Sequence, residues 1–301
     1  MTPATAVIVT YQSARTIGAT LAAARRCYDE QLLDCVIVDN GSRDGTQEVI
    51  QRAANWARIV LTGKNNGFGK GCNIGLQHVT SPFTVFINPD AVLEPEALRT
   101  MLRFMEQTPR AGIAGPATVQ QKKEGGATLQ VTSQCPTPWT ILRNVMPRYR
   151  TPLRPIVPGS PPSRTGWVSG AVFMARTELM NRLGGFDPRF FLYWEEMDVC
   201  MRAQAAGFET WALGTALARH AGGASSSPDD KLFEGCIAKH YFQSRYYYMV
   251  KHHGWLAATV AELGEFVLLA MRAPVDMARG RGLYRLRARM QAALLSQPER
   301  R

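Results

Sequence analysis

Short apolar runs alternate with amphipathic stretches along the first third of the chain. The runs TAVIVTY (Thr5–Tyr11), CVIVDN (Cys35–Asn40), ARIVLTG and FTVFINPD are rich in β-branched residues, which predicts buried strands. Between them, apolar residues three or four positions apart predict helices, including one capped by Ser13 and one from Pro95 to Gln107. This alternation indicates an α/β protein with a mostly parallel central sheet covered on both faces.

The pattern changes beyond this region. Eight prolines and several arginines, without an acidic residue, occupy Cys135–Ser163, which predicts an extended, mobile loop. GWVSGAVFMAR then predicts a strand, and EEMDVCMRAQAAG predicts a helix that ends at Gly207. After HAGGASSSPDD the sequence is helical and basic, as expected of an appended C-terminal segment.

The composition is that of a globular protein, with 301 residues, 46% of them hydrophobic. No apolar run approaches the roughly 20 residues that a spanning helix needs, so we expect no membrane crossing. The N-terminus lacks the features of a signal peptide, and the six cysteines are scattered, which together predict reduced thiols in the cytoplasm.

The net charge of +11 is concentrated in two places. Gly125–Thr177 contains six arginines and no acid, and Met277–Arg301 contains seven arginines and one acid. Such segments favour a polyanionic partner: nucleic acid, anionic lipid or a phosphorylated substrate. A nucleic-acid-binding protein is disfavoured, because few aromatic residues are interleaved with the arginines.

Polar clusters follow the predicted strands, where α/β sheets bind ligands. The glycine-rich stretch NNGFGKGCNIG fits neither the dinucleotide fingerprint nor the P-loop pattern. Its glycines would let backbone amides approach a ligand, with Lys70 available for a phosphate. A purely structural loop with capping glycines is the alternative.

Two further residues are metal-site candidates. Asp90 in INPD follows a strand, two positions after Asn88, and suits a hard cation that also binds phosphate oxygens. The alternative for Asp90 is a turn that caps the local backbone. His220 follows a strand as well, and its assignment depends on whether Asp90 and the acidic helix converge on it.

FLYWEEMDVCMR places three carboxylates, Glu195, Glu196 and Asp198, directly after large aromatic residues. Mutual repulsion and burial both raise carboxyl pKa values, which suits a base in catalysis. On a helix, Glu195 and Asp198 share one face while Glu196 points elsewhere, so three equivalent bases are not expected.

Taken together, VIVTYQS, VDNGSRDGT, NNGFGKGCNIG, INPDAVL, the block from SGAVFMAR to MRAQAAG, and HAGGAS resemble the successive motifs of family 2 glycosyltransferases. The resemblance covers roughly Thr5 to Ser225. The NPD form and the FFLYWEE block resemble bacterial rhamnosyltransferases of O-antigen and cell-wall assembly. The resemblance implies a GT-A fold and inverting chemistry.

The resemblance also implies roles for individual residues. Glu196 would be the catalytic base, where the family more often has Asp, and Glu195 and Asp198 would position the base or bind acceptor hydroxyls. Asp90 and His220 would bind Mg²⁺ or Mn²⁺. The nucleotide and donor would contact a larger set, in which Asp39 binds the pyrimidine base: Thr10, Tyr11, Asp39, Asn40, Asn66, Gly67, Lys70, Asn73 and Asn88.

The implied donor is dTDP-L-rhamnose, with a UDP-hexose or UDP-galactofuranose as alternatives. The implied acceptor is a saccharide or a polyprenyl-diphosphate-linked sugar. The expected domains are a GT-A domain over 1–225, divided near residue 118 and containing the mobile loop 135–165, and a helical segment over 226–301. The arginine-rich tail and the helix WLAATVAELGEFVLLAM, with Glu262 and Glu265 on its polar side, predict peripheral binding at the inner face of the cytoplasmic membrane. Simple packing of that helix on the protein is the alternative.

Overall fold

A computed structural model describes residues 2–121, 127–221, 235–279 and 283–291. The chain forms two compact units. The first comprises Met1–Gln134, Arg154–Asp187 and Glu196–Gly222, and the second comprises Cys135–Leu153, Pro188–Glu195 and the described part of Gly223–Arg301. Residues 280–282 and 292–301 of the predicted arginine tail and much of the HAGGASSSPDD segment lie outside the described residues.

The described elements alternate as the sequence predicts in the first third of the chain. The strands are β1 (Ala4–Thr10), β2 (Leu33–Asp39), β3 (Arg58–Leu61), β4 (Phe83–Ile87), β5 (Ala91–Leu93), β6 (Ala111–Gln121), β7 (Ala127–Leu129), β8 (Val131–Thr132), β9 (Arg154–Pro155), β10 (Ser163–Thr165), β11 (Val172–Arg176) and β12 (Glu209–His220). The helices are α1 (Ile17–Asp29), α2 (Thr46–Ala53), α3 (Phe68–Leu76), α4 (Pro95–Gln107), α5 (Pro138–Arg143), α6 (Thr177–Arg182), α7 (Glu195–Ala205), α8 (Gly235–His253), α9 (Trp255–Ala278) and α10 (Tyr284–Gln291).

Ten strands of the first unit form one mixed sheet. Its order is β10-β12-β6-β11-β4-β1-β2-β3, with β5 paired to β12 and β7 paired to β6. Strands β4, β1, β2 and β3 are parallel, whereas β11 is antiparallel to β4. The predicted α/β class with a central sheet is therefore confirmed, and the parallel part carries the polar strand ends.

Both faces of the sheet are covered, as the apolar runs predict. In β1, Ile8 packs in the same cluster as Ile17 and Leu21 of α1, whereas Val7 and Val9 pack on the other face with Cys72 and Leu76 of α3. Successive residues of a strand point to opposite faces, so a strand that is buried throughout reads as a continuous apolar run. This burial fixes the register that brings the strand ends to one edge.

Two local predictions are wrong. Ser13 is not the N-cap of α1, because the helix starts at Ile17 and it is the Ser13 carbonyl that accepts the Ile17 amide, at 3.0 Å. Cys135–Ser163 is not a continuous extended loop. Its chain forms α5, a 3₁₀ turn at Pro147–Tyr149 and the short strand β9. Proline at the start of α5 and a capping box between Thr137 and Thr140 favour a helix there.

Buried charges join the helices of the second unit. Arg245 of α8 contacts Glu262 of α9 at 2.6 and 2.9 Å and also donates to Glu265, at 3.2 Å through one of its nitrogens. Arg289 of α10 lies 2.6 Å from Glu262. Glu262 and Glu265 are therefore on the buried side of α9, not on a solvated polar side.

None of the described helices combines the length and the apolar character needed to cross a bilayer.

Candidate functional site

The first part of the site lies where β1 and β2 end side by side, with Thr10 opposite Asp39 in the register. Both residues are fully buried. One oxygen of Asp39, Oδ1, accepts hydrogen bonds from the amides of Gly41 (3.2 Å) and Ser42 (3.0 Å) and from Gln47 Nε2 (2.7 Å). Asp39 Oδ2 and Thr10 Oγ1 have no partner among the described residues. Buried polar atoms without partners are costly, so this pair points to a ligand.

The residues around this pair shape its surroundings. Tyr11, the residue after β1, is 46% exposed and offers an aromatic ring at the same edge. Asn40 donates to the carbonyl of Gly67 at 2.9 Å and accepts from Thr62 at 3.3 Å. Its side chain therefore ties the end of β2 to the glycine-rich segment. Asn66 similarly donates to a neighbouring carbonyl within its own loop, at 3.0 Å.

Glycines of the glycine-rich segment allow α3 to pack closely against β1. A Cβ on Gly71 would lie 2.6 Å from Val9 Cγ1, and one on Gly75 would lie 2.4 Å from Val7 Cγ1. Only glycine lets α3 approach β1 this closely, so the structural alternative explains these two residues. Lys70, directly before Gly71, is partly buried and has no ion-pair partner among the described residues.

Asn73 is used for the fold as well. Its Nδ2 donates to the Phe186 carbonyl at 2.7 Å, and its Oδ1 accepts the Phe186 amide at 2.8 Å. Both ends of the side-chain amide are therefore engaged within the protein, and the donor contact of Asn73 stays a prediction. The arrangement instead joins α3 to the segment that precedes the acidic helix.

Asp90 and His220 meet although 130 positions separate them. Asp90 Oδ1 lies 2.9 Å from His220 Nε2. The pairing of β5 with β12 sets His220 opposite Ala91, and the Ala221 amide donates to the Asp90 carbonyl at 2.9 Å. The side chains are only 12% and 8% exposed, respectively. Asp90 and His220 therefore converge, as the assignment of His220 to a metal site requires.

A carboxylate beside an imidazole fits a divalent cation such as Mg²⁺ or Mn²⁺. Among the described residues, no group of three or more acidic, histidine or cysteine side chains is placed to hold a metal ion. Asp90 and His220 would thus supply two ligands, and the remaining positions would be left to phosphate oxygens and water.

Glu196 is the second residue of α7 and lies beside Gly170. Burial raises the pKa of the Glu196 carboxyl to about 7, although a hydrogen bond from the Gly170 amide partly offsets this effect. The two residues before α7, Tyr193 and Trp194, have φ values of 68° and 72°. Non-glycine residues in the left-handed region store strain, which is typical of functional sites.

Backbone contacts bring Glu196 to the same edge of the sheet as Asp90. A Cβ placed on Gly170 would lie 3.9 Å from Cδ, the carboxyl carbon of Glu196. The next residue, Ala171, accepts the Asn88 amide at 2.8 Å, and Asn88 lies in the turn that contains Asp90. The Gly170 amide is a contact that the side-chain motifs did not reveal.

The other two acids differ from Glu196. Asp198 is fully buried and pairs with Arg202 at 2.8 Å, and Arg202 also donates to the carbonyls of Leu183 and Gly185. This arrangement fixes α7 to the chain before it. Glu195 is likewise buried, whereas Glu196 is partly exposed, in agreement with the expected separation of faces.

The aromatic residues that precede the acids pack within the second unit. Phe190 lies 4.9 Å from Tyr247, and Trp194 lies 5.2 Å from Tyr248, measured between ring centroids. These contacts hold the strained backbone before α7 in place. The rings are therefore a support for the start of the helix.

Comparison with known protein families matches the part of the chain that contains the site residues. The sequence profile of Glycosyl transferase family 2 matches residues 5–160, more than half of the chain. The chain belongs to glycosyl transferase family 2. A second profile, Glycosyl transferase family group 2, matches residues 83–275 and so includes the acidic helix and His220.

Curated relatives of this family 2 protein carry rhamnosyltransferase names. An N-acetylglucosaminyl-diphospho-decaprenol L-rhamnosyltransferase of Mycobacterium tuberculosis is 26% identical over 251 residues, which cover 76% of this chain and 78% of the relative. The rhamnosyltransferase WbbL of Escherichia coli is 24% identical over 190 residues, covering 60% of this chain and 69% of the relative.

Solved structures support the fold of the family 2 protein. A mannosyltransferase of Pyrobaculum calidifontis, in complex with GDP-Man and Mn²⁺, superposes with a TM-score of 0.56 at 16% identity, covering 96% of this chain and 84% of the other. TarS residues 1–349 from S. aureus give a TM-score of 0.53 at 14% identity, with 95% and 89% covered. The GT-A type of fold is therefore confirmed.

Proposed function

We propose that the protein is an inverting glycosyltransferase that moves L-rhamnose from dTDP-L-rhamnose to a hydroxyl of a saccharide or lipid-linked acceptor in cell-surface polysaccharide synthesis. The observation that carries this proposal is Glu196, a partly buried carboxyl with a pKa of about 7 at the sheet edge that also holds Asp90 and Asp39. The rhamnosyltransferase names of two relatives support the sugar.

Glu196 is suited to remove a proton from the acceptor hydroxyl. A carboxyl with a pKa near 7 is about half ionised at neutral pH, and its ionised form is a stronger base than an ordinary carboxylate. The Gly170 amide and the strained start of α7 hold it in one orientation. Inversion requires one base on the side of the sugar opposite the leaving nucleotide, and in this proposal only Glu196 has that role.

Asp39 and Thr10 are suited to hold the pyrimidine base. The free Oδ2 of Asp39 can accept the imide N–H that uracil and thymine share, while Oδ1 stays bound to its loop. Tyr11 is exposed next to them and can stack on a planar base. Lys70 has no ion-pair partner in the described part of the chain and is available for a phosphate.

Asp90 and His220 would hold the divalent cation. When bound, such an ion neutralises the charge that grows on the departing diphosphate. The two side chains already lie 2.9 Å apart and nearly buried, so little reorganisation is needed to present both to one ion.

The proposed acceptor is based on the name of a relative. The name of the M. tuberculosis protein includes N-acetylglucosaminyl-diphospho-decaprenol, a polyprenyl-diphosphate-linked sugar. We propose the same chemical class of acceptor for this chain.

The proposal is tested with purified protein, Mn²⁺ and a panel of nucleotide sugars, by measuring the release of free nucleoside diphosphate with and without a polyprenyl-diphosphate-linked acceptor. We expect the greatest acceptor-dependent release from dTDP-L-rhamnose. Greater release from a UDP-hexose or UDP-galactofuranose would identify that sugar nucleotide as the donor instead. A hexose is included because a relative from Haloferax volcanii is named a hexosyltransferase. No release from any donor would contradict the function.

Replacing Asp39 by asparagine should change which base binds. The variant keeps an oxygen for the Gly41 and Ser42 amides but turns the free Oδ2 into an N–H₂ donor, which opposes the imide N–H of thymine. Calorimetry should show dTDP binding at least about tenfold weaker, since an unpaired buried donor costs about 1–3 kcal/mol.

Cytosine provides the control for this variant, because its N3 is an acceptor that an asparagine N–H₂ can satisfy. CDP should therefore bind Asp39→Asn better than it binds the original protein. Parallel losses for dTDP, CDP and GDP would indicate a damaged pocket and count against base reading by Asp39.

Removing the cation should weaken nucleotide binding before any turnover. With Mn²⁺ present, we expect Asp90→Asn and His220→Ala each to bind dTDP more weakly than the original protein in calorimetry. In excess EDTA the three proteins should bind dTDP alike, because the side chains act through the ion. Asp29→Asn, an exposed acid on α1, is the matched control. Undiminished transfer in EDTA would refute the metal site.

A further inference from the structure

Helix α9 exposes its apolar side and buries its charged side. Six apolar side chains recur every three or four residues and are 42–71% exposed: Leu256, Val260, Leu263, Val267, Met271 and Val275. Ala258, Ala261, Glu262 and Glu265 are buried on the opposite side. A surface helix in water normally has the reverse arrangement. The exposed stripe is about 28 Å long at 1.5 Å per residue.

The buried charges prevent the helix from turning this stripe inward. Arg245 contacts both Glu262 and Glu265, and Arg289 contacts Glu262 from α10. Rotation of α9 about its axis would expose its apolar contacts and separate buried ions from their partners, which is strongly unfavourable. The outward direction of the stripe is thus fixed by the fold.

The described surface of the second unit is basic. None of its described acidic side chains is exposed, because Glu195, Glu262 and Glu265 are buried and Asp276 pairs with Arg272 at 3.0 Å. Among the residues of this unit that the structure describes, the exposed ionised side chains are all cations: Arg148, Arg150, Lys239, Arg279 and Arg287. The first residue of α9, Trp255, is 62% accessible, and Trp139 of α5 and Tyr149 of the 3₁₀ turn are 65% and 57% accessible.

We propose that α9 lies in the plane of an anionic membrane surface, with its apolar stripe among the acyl chains and exposed cations of the same unit against lipid phosphates. Apolar side chains, interfacial aromatic residues and lysine or arginine are the components of an interfacial helix. Charge decides against a second copy of the chain as the occupant, because it would bring the same cations against this surface.

The test uses the full-length protein and vesicles of phosphatidylcholine, alone or mixed with phosphatidylglycerol, in a sedimentation assay. We expect binding to the mixed vesicles, weaker binding at high salt, and little binding to phosphatidylcholine alone. The double variant Val260→Asp, Val267→Asp should bind mixed vesicles at least about tenfold more weakly, because two charges then enter the apolar boundary. Emission of Trp255 should be quenched by brominated lipid, and Trp255→Phe should remove that quenching.

Leu61→Asp is the matched control, because Leu61 on β3 is 51% exposed, close to the 52% of Val267, and belongs to the other unit. It should bind vesicles as the original protein does. Equal binding of the double variant, with an unchanged unfolding midpoint, would overturn the proposal, as would equal binding to neutral vesicles. Self-association that the double variant abolishes, without any vesicle binding, would assign the stripe to a second copy.

Discussion

Replacing Glu196 by glutamine should lower the rate of sugar transfer at least about a hundredfold while leaving nucleotide binding intact, since a positioned general base contributes about 10²–10⁴. The side chain keeps its size and can still accept the Gly170 amide, but it can no longer take a proton. Acceptor-dependent release of dTDP measures the rate, and calorimetry with dTDP and Mn²⁺ measures binding. Glu178→Gln, which removes an exposed acid of α6, should transfer normally.

The pH dependence gives the same variant a second readout. Because the base must be ionised, transfer by the original protein should rise with pH and reach half of its maximum at about 7. The Glu196 carboxyl has a folded-state pKa of about 7 against an ordinary value of 4.5, so its stabilising contribution is present below pH 4.5 and is lost as the pH rises to about 7. Glu196→Gln should therefore be more stable than the original protein above pH 7, and this advantage should vanish in acid.

Two results would contradict this role. Near-normal transfer by Glu196→Gln, with Glu195→Gln inactive, would move the base one residue back. An acid limb that stays at pH 7 in a partly active Glu196→Gln would assign the titration to another group. Glu196→Asp is a milder change, since it restores the acid that the family more often carries, and we expect it to retain part of the activity.

Replacing Arg245 by methionine should cost about 3 to 5 kcal/mol of unfolding free energy, because removal of one partner leaves buried charges uncompensated. Glu262 and Glu265 are essentially inaccessible to water, and Arg245 contacts both of them. Burial lowers the pKa of Arg245, but the two carboxylates outweigh that effect and hold it above its ordinary value. The measurement is the urea midpoint followed by circular dichroism.

The matched control for this variant is Arg25→Met. Arg25 pairs with Asp29 at 2.7 Å on α1, but the two side chains are 46% and 52% exposed. An exposed pair of this kind contributes about 0.3–0.5 kcal/mol. Similar midpoints for the two variants would show that water reaches the Arg245 cluster and screens it.

The sheet was predictable from the sequence because its buried strands appear as continuous runs of apolar residues. Every residue of β1 is buried, so TAVIVTY could be assigned without knowledge of its neighbours. The α4 bounds, Pro95–Gln107, were predicted fully, since proline at the start fixes the first turn. The Cys135–Ser163 prediction failed because proline is as compatible with the first turn of a helix as with a loop, and composition does not distinguish them.

The sequence predicted that the site residues follow the ends of strands, but it did not predict which of their side chains contact one another. Asp90 and His220 meet only through the pairing of β5 with β12, which is long-range and leaves no local signal. The inward direction of Glu262 and Glu265 depends in the same way on Arg245, which lies on another helix.

The long separation of Asp90 from His220 has a consequence for synthesis on the ribosome. Thr10 and Asp39 can pair once the first two strands have emerged, but β12, which lies between β10 and β6, is the last strand of the sheet to be made. At about 5–20 residues per second, the 130 positions between the two side chains take roughly 7–26 seconds to translate. After β6 has been made and before β12 follows, the sheet lacks an interior strand and β6 presents an unpaired edge to other chains. Nucleotide added to stalled nascent chains that end before residue 209 should therefore not protect them from aggregation.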